Sequence, residues 1–420
     1  MEKRAITRSA KALLPGRGFD EEKLVAPRQA IVTFFSHVTV PPPDTERVPF
    51  ERAFGRVLAE DAIADDDYPS VVRSAMDGFA VAAASTPGSL RIAGDVRMGH
   101  SETSLAGGCA VRIPTGGALP EGSDAVVPIE NATVSNGTVR IDTAVESGEN
   151  AIEMGADMRR GERVLRARLR IGSPHVGLFA ALGMTDVAVY RQPLVGVLSS
   201  GDEIVPPSQR PRPGEVRDSN RYAIAASLTA MGARVRHFPT LADEERAFND
   251  GLRTALDQCD AVVVTGGSSV GERDRLPGAV AALGEPGVVV HGLRLRPGKP
   301  LLLGALGAKP ILGLPGNPTS ALMMLEAVAA PIVAALTGAP IVAPSLRARL
   351  AAPLRGRSGW TWYVPVALED EAGAPVAHPL PLRSFSVSLT ARAGGYVIMD
   401  ERDDHWAEGA IVTVHRFIGS

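Results

Sequence analysis

Cysteine is nearly missing from this chain. Its 420 residues include two, Cys109 and Cys259, in no CxxC pair and no disulfide framework. That excludes a disulfide-stapled secreted scaffold and a thiolate zinc site, fits a reducing cytoplasm, and leaves both as small buried apolar side chains. The eight histidines show no HxH, HExxH or Cys/His spacing, so the common zinc enzymes are excluded. There is no basic excess either: 44 Lys plus Arg face 47 Asp plus Glu, a net charge of −3, so no broad field gathers nucleic acid. No stretch has the roughly 20 apolar residues that a membrane span needs. The most apolar one, residues 320–336, contains Glu326 and Pro331 and reads as a buried helix. Residues 1–24 carry Lys3, Arg4, Arg8 and Lys11 without an apolar core, so they read as a flexible tail rather than a secretory signal.

Glycine and proline are plentiful, 44 and 33 residues, which predicts many turns and several small β-rich parts. The length exceeds what one core supports and implies two to four domains. Residues 261–264, AVVV, suit a strand buried on both faces. Thr265, Gly266, Gly267, Ser268, Ser269 and Gly271 follow it in a loop of glycines and hydroxyls, with Asp274 at the far end. Glycine permits positive φ and has no side chain, so such a loop lets backbone N–H groups approach an anion. Three more loops share this character. Ser199-Ser200-Gly201-Asp202-Glu203 follows the apolar run 194–198. Arg296-Pro297-Gly298-Lys299-Pro300 sets two cations on a stiff turn. Pro315, Gly316 and Asn317 follow the run 311–314 and open a helix. Four such loops predict the rim of one doubly wound sheet, where α/β folds bind ligands.

Residues 26–38 and 46–60 have helical spacing. From 63 to 149, short alternating runs between Gly, Pro, Asn and Ser predict a small all-β module. Residues 150–190 carry Gly-rich turns, a strand at 163–169 and a helix at 174–182. From 192 the pattern is βαβ: strand 194–198, helix 219–231 with Asp218 or Ser219 as cap, strand 233–238, helix 243–256 and strand 261–264. After 342 β character returns, with strands at 360–364 and 396–399. The expected architecture is multidomain α/β plus β. It comprises a tail (1–24), an N-terminal helical linker domain (25–62 with 150–191), an inserted β module (63–149), a doubly wound α/β domain (192–341) and a C-terminal β domain (342–420).

Residues 265–274, TGGSSVGERD, with 296–300, RPGKP, and 314–318, LPGNP, resemble the GGxSxGxxD, KPGKP and LPGNP signatures of the molybdopterin molybdenumtransferase family, MoeA, whose animal relative is the gephyrin E domain. Residues 54–59, FGRVLA, 74–80, SAMDGFA, and 115–127, TGGALPEGSDAVV, resemble further family motifs, so the likeness runs from about residue 28 to the end. It implies four domains per subunit, the α/β one MogA-like and the C-terminal one barrel-like. It also implies a cytoplasmic homodimer with its cleft between subunits, insertion of molybdate into adenylylated molybdopterin with release of AMP, Mg²⁺, and contact with a MogA-type adenylylating enzyme. Neither nucleic acid nor a membrane is an expected partner.

Under that resemblance Asp274, Glu203 and Asp218 are the carboxylates expected to face Mg²⁺, which takes one or two carboxylates plus substrate oxygens. Asp218 reads equally well as a helix cap, and Glu203 as a solvated loop acid. Arg296 and Lys299 would hold the pterin phosphate or molybdate; Arg replaces the family's Lys at 296 and grips oxyanions bidentately. Asp77 matches the acid of SAMDG, where a turn residue before Gly78 is the competing reading. Asp157 matches an acidic position assigned to the partner cleft. The family's C-terminal Arg falls on Trp360, and Arg357 is expected to replace it. Ser384, Ser386 and Ser388 keep a hydroxyl-rich turn. Val72-Arg73, Arg275 and Gly394 depart from the family pattern. These departures leave a catalytically altered scaffold paralogue, or a tungstate-inserting variant, as alternatives. Residues 267–271 match GxSxG, but a serine hydrolase needs Asp then His downstream, and His291 is only 22 residues beyond Ser269. A P-loop fails because Pro300 follows Lys299.

Overall fold

The computed structural model describes residues 19–100, 104–269 and 274–419, and its contacts divide the chain into two units. One holds the chain up to Val48, Gly55–Val57 and Ala188–Ser420; the other holds Pro49–Phe54 and Leu58–Val187.

The first unit is built on a six-stranded sheet. Its strands lie in the order Arg234–His237, Leu194–Ser199, Ala261–Thr265, Lys309–Leu314, Leu302–Leu306, Pro286–His291. The first four run parallel, and Leu302–Leu306 runs antiparallel to both of its neighbours. The apolar runs are continuous because both faces are covered. Val195, Val197, Val263 and Leu312 share a core with Ile224 and Leu228 of the helix Asn220–Ala230. Leu198, Val262, Val264 and Ile311 share another with Phe248 and Leu252 of the helix Glu245–Gln258. A side chain at Gly196 would press on Phe238 and Cys259 Sγ, at 3.1 and 3.2 Å, so Cys259 serves as packing.

The apolar stretch forms one 20-residue helix, Pro318–Thr337, 72% buried, and lies in the first of these cores. Residues Leu325–Ala329 widen into a π turn that carries Glu326 inward. There its carboxylate accepts from Ser227 Oγ and the Ile418 amide, both at 2.8 Å.

The helix Pro27–His37, expected in a linker domain with residues 150–191, packs Ala30 and Phe34 into the same core as Val290, Leu293 and Leu303. Residues 19–24, expected within a flexible tail, are also packed. Phe19 meets the His291 ring edge-on at 5.1 Å, and Leu24 is buried. Residues 1–18 lie outside the described part.

Five strands, Ser345–Leu350, Thr361–Glu371, Ala374–Pro379, Gly395–Met399 and Ile411–His415, close into a barrel around Val364, Val366, Val397 and Val414. The short strand Leu295–Arg296 extends the barrel by pairing in parallel with Thr361 and Trp362. Gly394 is fixed by packing, since a Cβ there would meet Leu368 at 2.8 Å.

The second unit centres on another six-stranded sheet, in the order Ala125–Pro128, Gly78–Val81, Cys109–Ile113, Gly88–Asp95, Thr138–Ile141, Ala132–Ser135. It also contains the helix Ser173–Ala181. The helical spacing read over 46–60 is not realised. Thr45–Pro49 is a strand and Phe50–Arg52 a single 3₁₀ turn. Pro49 lacks the amide a helix interior uses, and Gly55 sits at φ +76°.

Burial raises the pKa of Glu326 from its usual 4.5 to about 7. The folded state therefore holds a proton that the unfolded state has released between those two values. The contribution of Glu326 to stability is fully present below pH 4.5 and is lost as pH rises toward 7, with a slope of at most ~1.4 kcal/mol per pH unit. Thermal melts of wild type and Glu326→Gln at pH 5 and 7.5 should show the variant losing less stability across this range. Equal pH dependence in the two would remove Glu326 as the cause.

Candidate active site

The site forms at the carboxyl edge of the parallel strands. The Ser200 amide donates to Thr265 O at 2.9 Å and the Gly266 amide to Leu314 O at 3.0 Å. Ser268 Oγ donates to Leu314 O at 3.2 Å. Three loops are thus joined through main chain. Gly266 and Gly267 have φ of +89° and +62°, and a Cβ on either would fall 2.7 Å from Ser200 O or 2.8 Å from Ser200 Oγ. A Cβ on Gly316 would sit 3.6 Å from Gly266 Cα. The glycines permit both the positive φ and this closeness of backbone to backbone. The Ser200 hydroxyl is buried with no hydrogen-bond partner among the described residues.

Thr265, Gly266, Gly267, Ser268 and Ser269 are therefore brought against the Ser200 loop and against Pro315, Gly316 and Asn317. Thr265 and Ser268 are buried and brace the loop, whereas Ser269 is half-exposed. Gly271 lies outside the described residues. Asn317 Nδ2 donates to Ser384 Oγ at 3.3 Å, and Thr319 Oγ1 to Ser386 O at 2.7 Å. The hydroxyl-rich turn thus closes on this loop. Next to it a cavity of about 380 Å³ opens, lined by Ser219, Asn220, Leu322, Thr390 and Phe417.

The carboxylates fall into different surroundings. Asp274 is half-exposed. It acts on His291, whose pKa is lowered by burial, opposed by the Ser268 carbonyl and the Asp274 charge. His291 Nε2 lies 2.7 Å from Ser268 O, a contact that a neutral ring makes by donating. Glu203 is exposed, its carboxylate folded over Gly201, where an added Cβ would lie 2.6 Å from Oε2. Asp218 is only 6% exposed. Its Oδ1 accepts from the Arg221 amide at 3.1 Å and its Oδ2 lies 2.9 Å from Arg221 Nε. The first is a helix-start contact; the second is an ion pair in which neither Oδ2 nor Arg221 Nε makes a hydrogen bond among the described residues. Among the described residues these three acids do not gather within 4.8 Å of one another; Glu369, Glu371 and His378 of the barrel do.

The cations rest on tryptophans. The Arg296 guanidinium lies 5.1 Å from the Trp362 ring centre, the Lys299 ammonium 5.1 Å from that of Trp360, and the Arg357 guanidinium 4.9 Å from the same Trp360 ring. Pairing of Leu295–Arg296 with Thr361 and Trp362 sets this arrangement. Gly298, at φ +106°, lies so close to Met324 that a Cβ would collide. The Trp360 amide donates back to Arg357 O at 3.0 Å, a turn that sets Arg357 beside Lys299 on the same Trp360 ring.

Asp77 and Asp157 belong to the second unit. Asp77 Oδ1 accepts from the amide and hydroxyl of Thr115 at 2.6 and 3.0 Å, which holds its pKa below the usual carboxylate range. Asp157 is exposed, and its amide donates to Tyr68 O at 3.0 Å.

One loop escaped the sequence reading. After the strand Arg234–His237, the Asp243 amide donates to Asp202 Oδ1 at 3.2 Å, and Asp243 O accepts from Arg275 Nε at 3.2 Å. This loop is tied to Ser199–Glu203 neighbours and to the far end of the glycine loop. It has no glycine, and Glu244 caps the next helix, so it reads as an ordinary helix start. Its position after a parallel strand was the available clue.

The close approach is testable. Gly266→Ala and Gly214→Ala both place a side chain at strongly positive φ, +89° and +92°, but nothing lies within 4 Å of the Cβ at Gly214. Gly214→Ala should cost the conformational term alone, roughly 1–2 kcal/mol. Gly266→Ala should cost clearly more, as measured by denaturant unfolding. Equal losses would show that the contact with Ser200 does not constrain the loop.

Family models match nearly the whole chain: the MoeA N-terminal region (domain I and II) at residues 25–183, the probable molybdopterin binding domain at 196–335, and the MoeA C-terminal region (domain IV) at 347–417. The molybdopterin molybdenumtransferase of Haemophilus influenzae is 35% identical over 301 residues, 71% of this chain and 74% of that protein. That of Bacillus subtilis is 30% identical over 385 residues, 88% and 89% of the two chains. A crystal structure of a molybdopterin biosynthesis MoeA protein from Pyrococcus horikoshii superposes with a TM-score of 0.79 at 31% identity, covering 95% of this chain and all of that one.

Proposed function

This chain belongs to the MoeA family of molybdopterin molybdenumtransferases, and we propose from that premise that the loop edge described above seats adenylylated molybdopterin and molybdate for molybdate insertion with release of AMP. The observation that carries this reading is the joining of the glycine, Ser200 and Asn317 loops through main-chain contacts at the carboxyl edge of the sheet. The Gly266 amide is committed to Leu314 O, but the backbone that the two glycines leave uncovered suits a phosphate, and the buried Ser200 hydroxyl offers a further donor. Lys299, Arg296 and Arg357 offset the charge of the oxyanion, which raises its local concentration and holds it against the pterin.

Asp274 and Glu203 are the carboxylates whose hard oxygen donors and exposure fit Mg²⁺; Asp218 fits less well, because it is buried and ion-paired with Arg221. When bound, Mg²⁺ would supply charge neutralisation at the substrate pyrophosphate. His291 fixes the backbone of Ser268 and feels the charge of Asp274. Asp77 and Asp157 fit a homodimer in which the second unit of a partner copy completes the site. Four domains per subunit, a cytoplasmic location and contact with a MogA-type adenylylating enzyme belong to the same proposal.

Reconstitution of molybdenum cofactor from adenylylated molybdopterin and molybdate tests the assignment. Asp274→Ala should lower the rate by on the order of 10²–10³. Asp218→Ala should instead lose stability by about 3–5 kcal/mol, since it leaves the buried Arg221 charge uncompensated. Normal turnover by Asp274→Ala would remove that residue from the reaction. For the assembly, light scattering at assay concentration should give a dimer; a fully active monomer would overturn it.

A further inference from the structure

We propose that the acidic turn at residues 20–22 is a built-in competitor for the oxyanion, occupying the cation pair stacked on Trp360. This rests on the reading of Lys299 and Arg357 as oxyanion holders and names how that site is regulated.

The turn is anchored on both sides. Leu24 is buried, Val25 bridges to Leu293, and the Arg294 amide donates to Val25 O at 2.8 Å. Upstream, Phe19 packs on His291, and a Cβ on Gly292 would lie 2.7 Å from the Phe19 ring. Asp20 shapes the 3₁₀ turn Glu21–Lys23 by accepting from the Glu22 amide at 3.2 Å and pairing with Lys23 at 3.0 Å. Between these anchors Glu21 projects onto Arg357, whose Nη1 and Nη2 donate to its carboxylate at 3.4 and 3.0 Å. The pair is open to water, with the two side chains 49% and 60% exposed. Arg357, and secondarily Lys299, hold the Glu21 carboxyl below its usual range, so the carboxylate feels both cations that share the Trp360 ring.

A carboxylate presented to two cations mimics half of a tetrahedral dianion. It satisfies them only in part, because it carries one charge and bonds directly to Arg357 alone. Molybdate, with two negative charges, matches the pair better and displaces it; a monoanion does not. The competitor is therefore weak by construction, and it raises the oxyanion concentration needed for occupancy rather than closing the site. An exposed ion pair of this kind corresponds to a shift of about two- to fivefold in affinity.

The experiment is calorimetric titration of sodium molybdate into the full-length protein, comparing wild type with Glu21→Gln and with Arg357→Ala. Trypsin cleavage after Lys23 is followed in parallel with and without molybdate. The expected result is two- to fivefold tighter binding by Glu21→Gln, weaker binding by Arg357→Ala, and faster cleavage at Lys23 as molybdate frees the turn, as reciprocal coupling requires. Weaker binding by Arg357→Ala with Glu21→Gln unchanged would overturn the competitor and leave the oxyanion site standing. Unchanged binding in both variants, or no binding by any form, would overturn the oxyanion site and the competitor with it.

Discussion

Everything at the site depends on how closely main chain can approach main chain above the carboxyl ends of the strands Leu194–Ser199, Ala261–Thr265 and Lys309–Leu314. The limiting contact is Gly266 and Gly267 against Ser200, where an added carbon would lie 2.7–2.8 Å from oxygen. With side chains in the way, the loops would separate, and the hydrogen bonds from Ser200 to Thr265 and from Gly266 to Leu314 could not form together. Backbone amides bind anions well only when several converge with no side chain intervening. The rest of the sheet, including the two cores that hold its strands, keeps these three strand ends in register.

The cations obey a different constraint. Lys299 and Arg357 share one aromatic ring, although like charges in each other's vicinity repel. The negative face of an indole offsets part of that repulsion, by about 0.5–1 kcal/mol per contact at an exposed site. Trp360 serves as a platform for two cations that arrive from different segments, Lys299 from one turn and Arg357 from another. The parallel pairing of Leu295–Arg296 with Thr361 and Trp362 fixes the first turn and the tryptophan strand in one register.

Much of this was legible in the residues. The buried run 261–264, the glycine loop after it, the βαβ alternation and the long apolar helix each follow from periodicity and side-chain type, and each is present. The helical spacing at 46–60 misled because apolar spacing does not register one proline and one glycine at decisive points. The Asp243 loop was missed because it reaches the same edge with no glycine, using its own amide and carbonyl. The contacts of Phe19 and Glu21 were illegible for a different reason: they join residues separated in sequence by about 270 to 340 positions, and no local pattern encodes such pairs.

Burial then sorts carboxylates that look alike in sequence. Asp218 and Asp274 both sit near loops at the rim, and either could face a metal on spacing alone. Asp218 is enclosed and neutralised by Arg221, so recruiting it would strand a buried guanidinium, a loss of several kcal/mol. Asp274 is half-exposed, and its charge is felt by His291. Glu326 marks the other extreme: its partners are Ser227 Oγ and an amide, no cation among the described residues offsets its burial, and protonation relieves it instead. In this fold the acid available to chemistry is the one that the core has not already claimed, and only solvent exposure distinguishes it from the others.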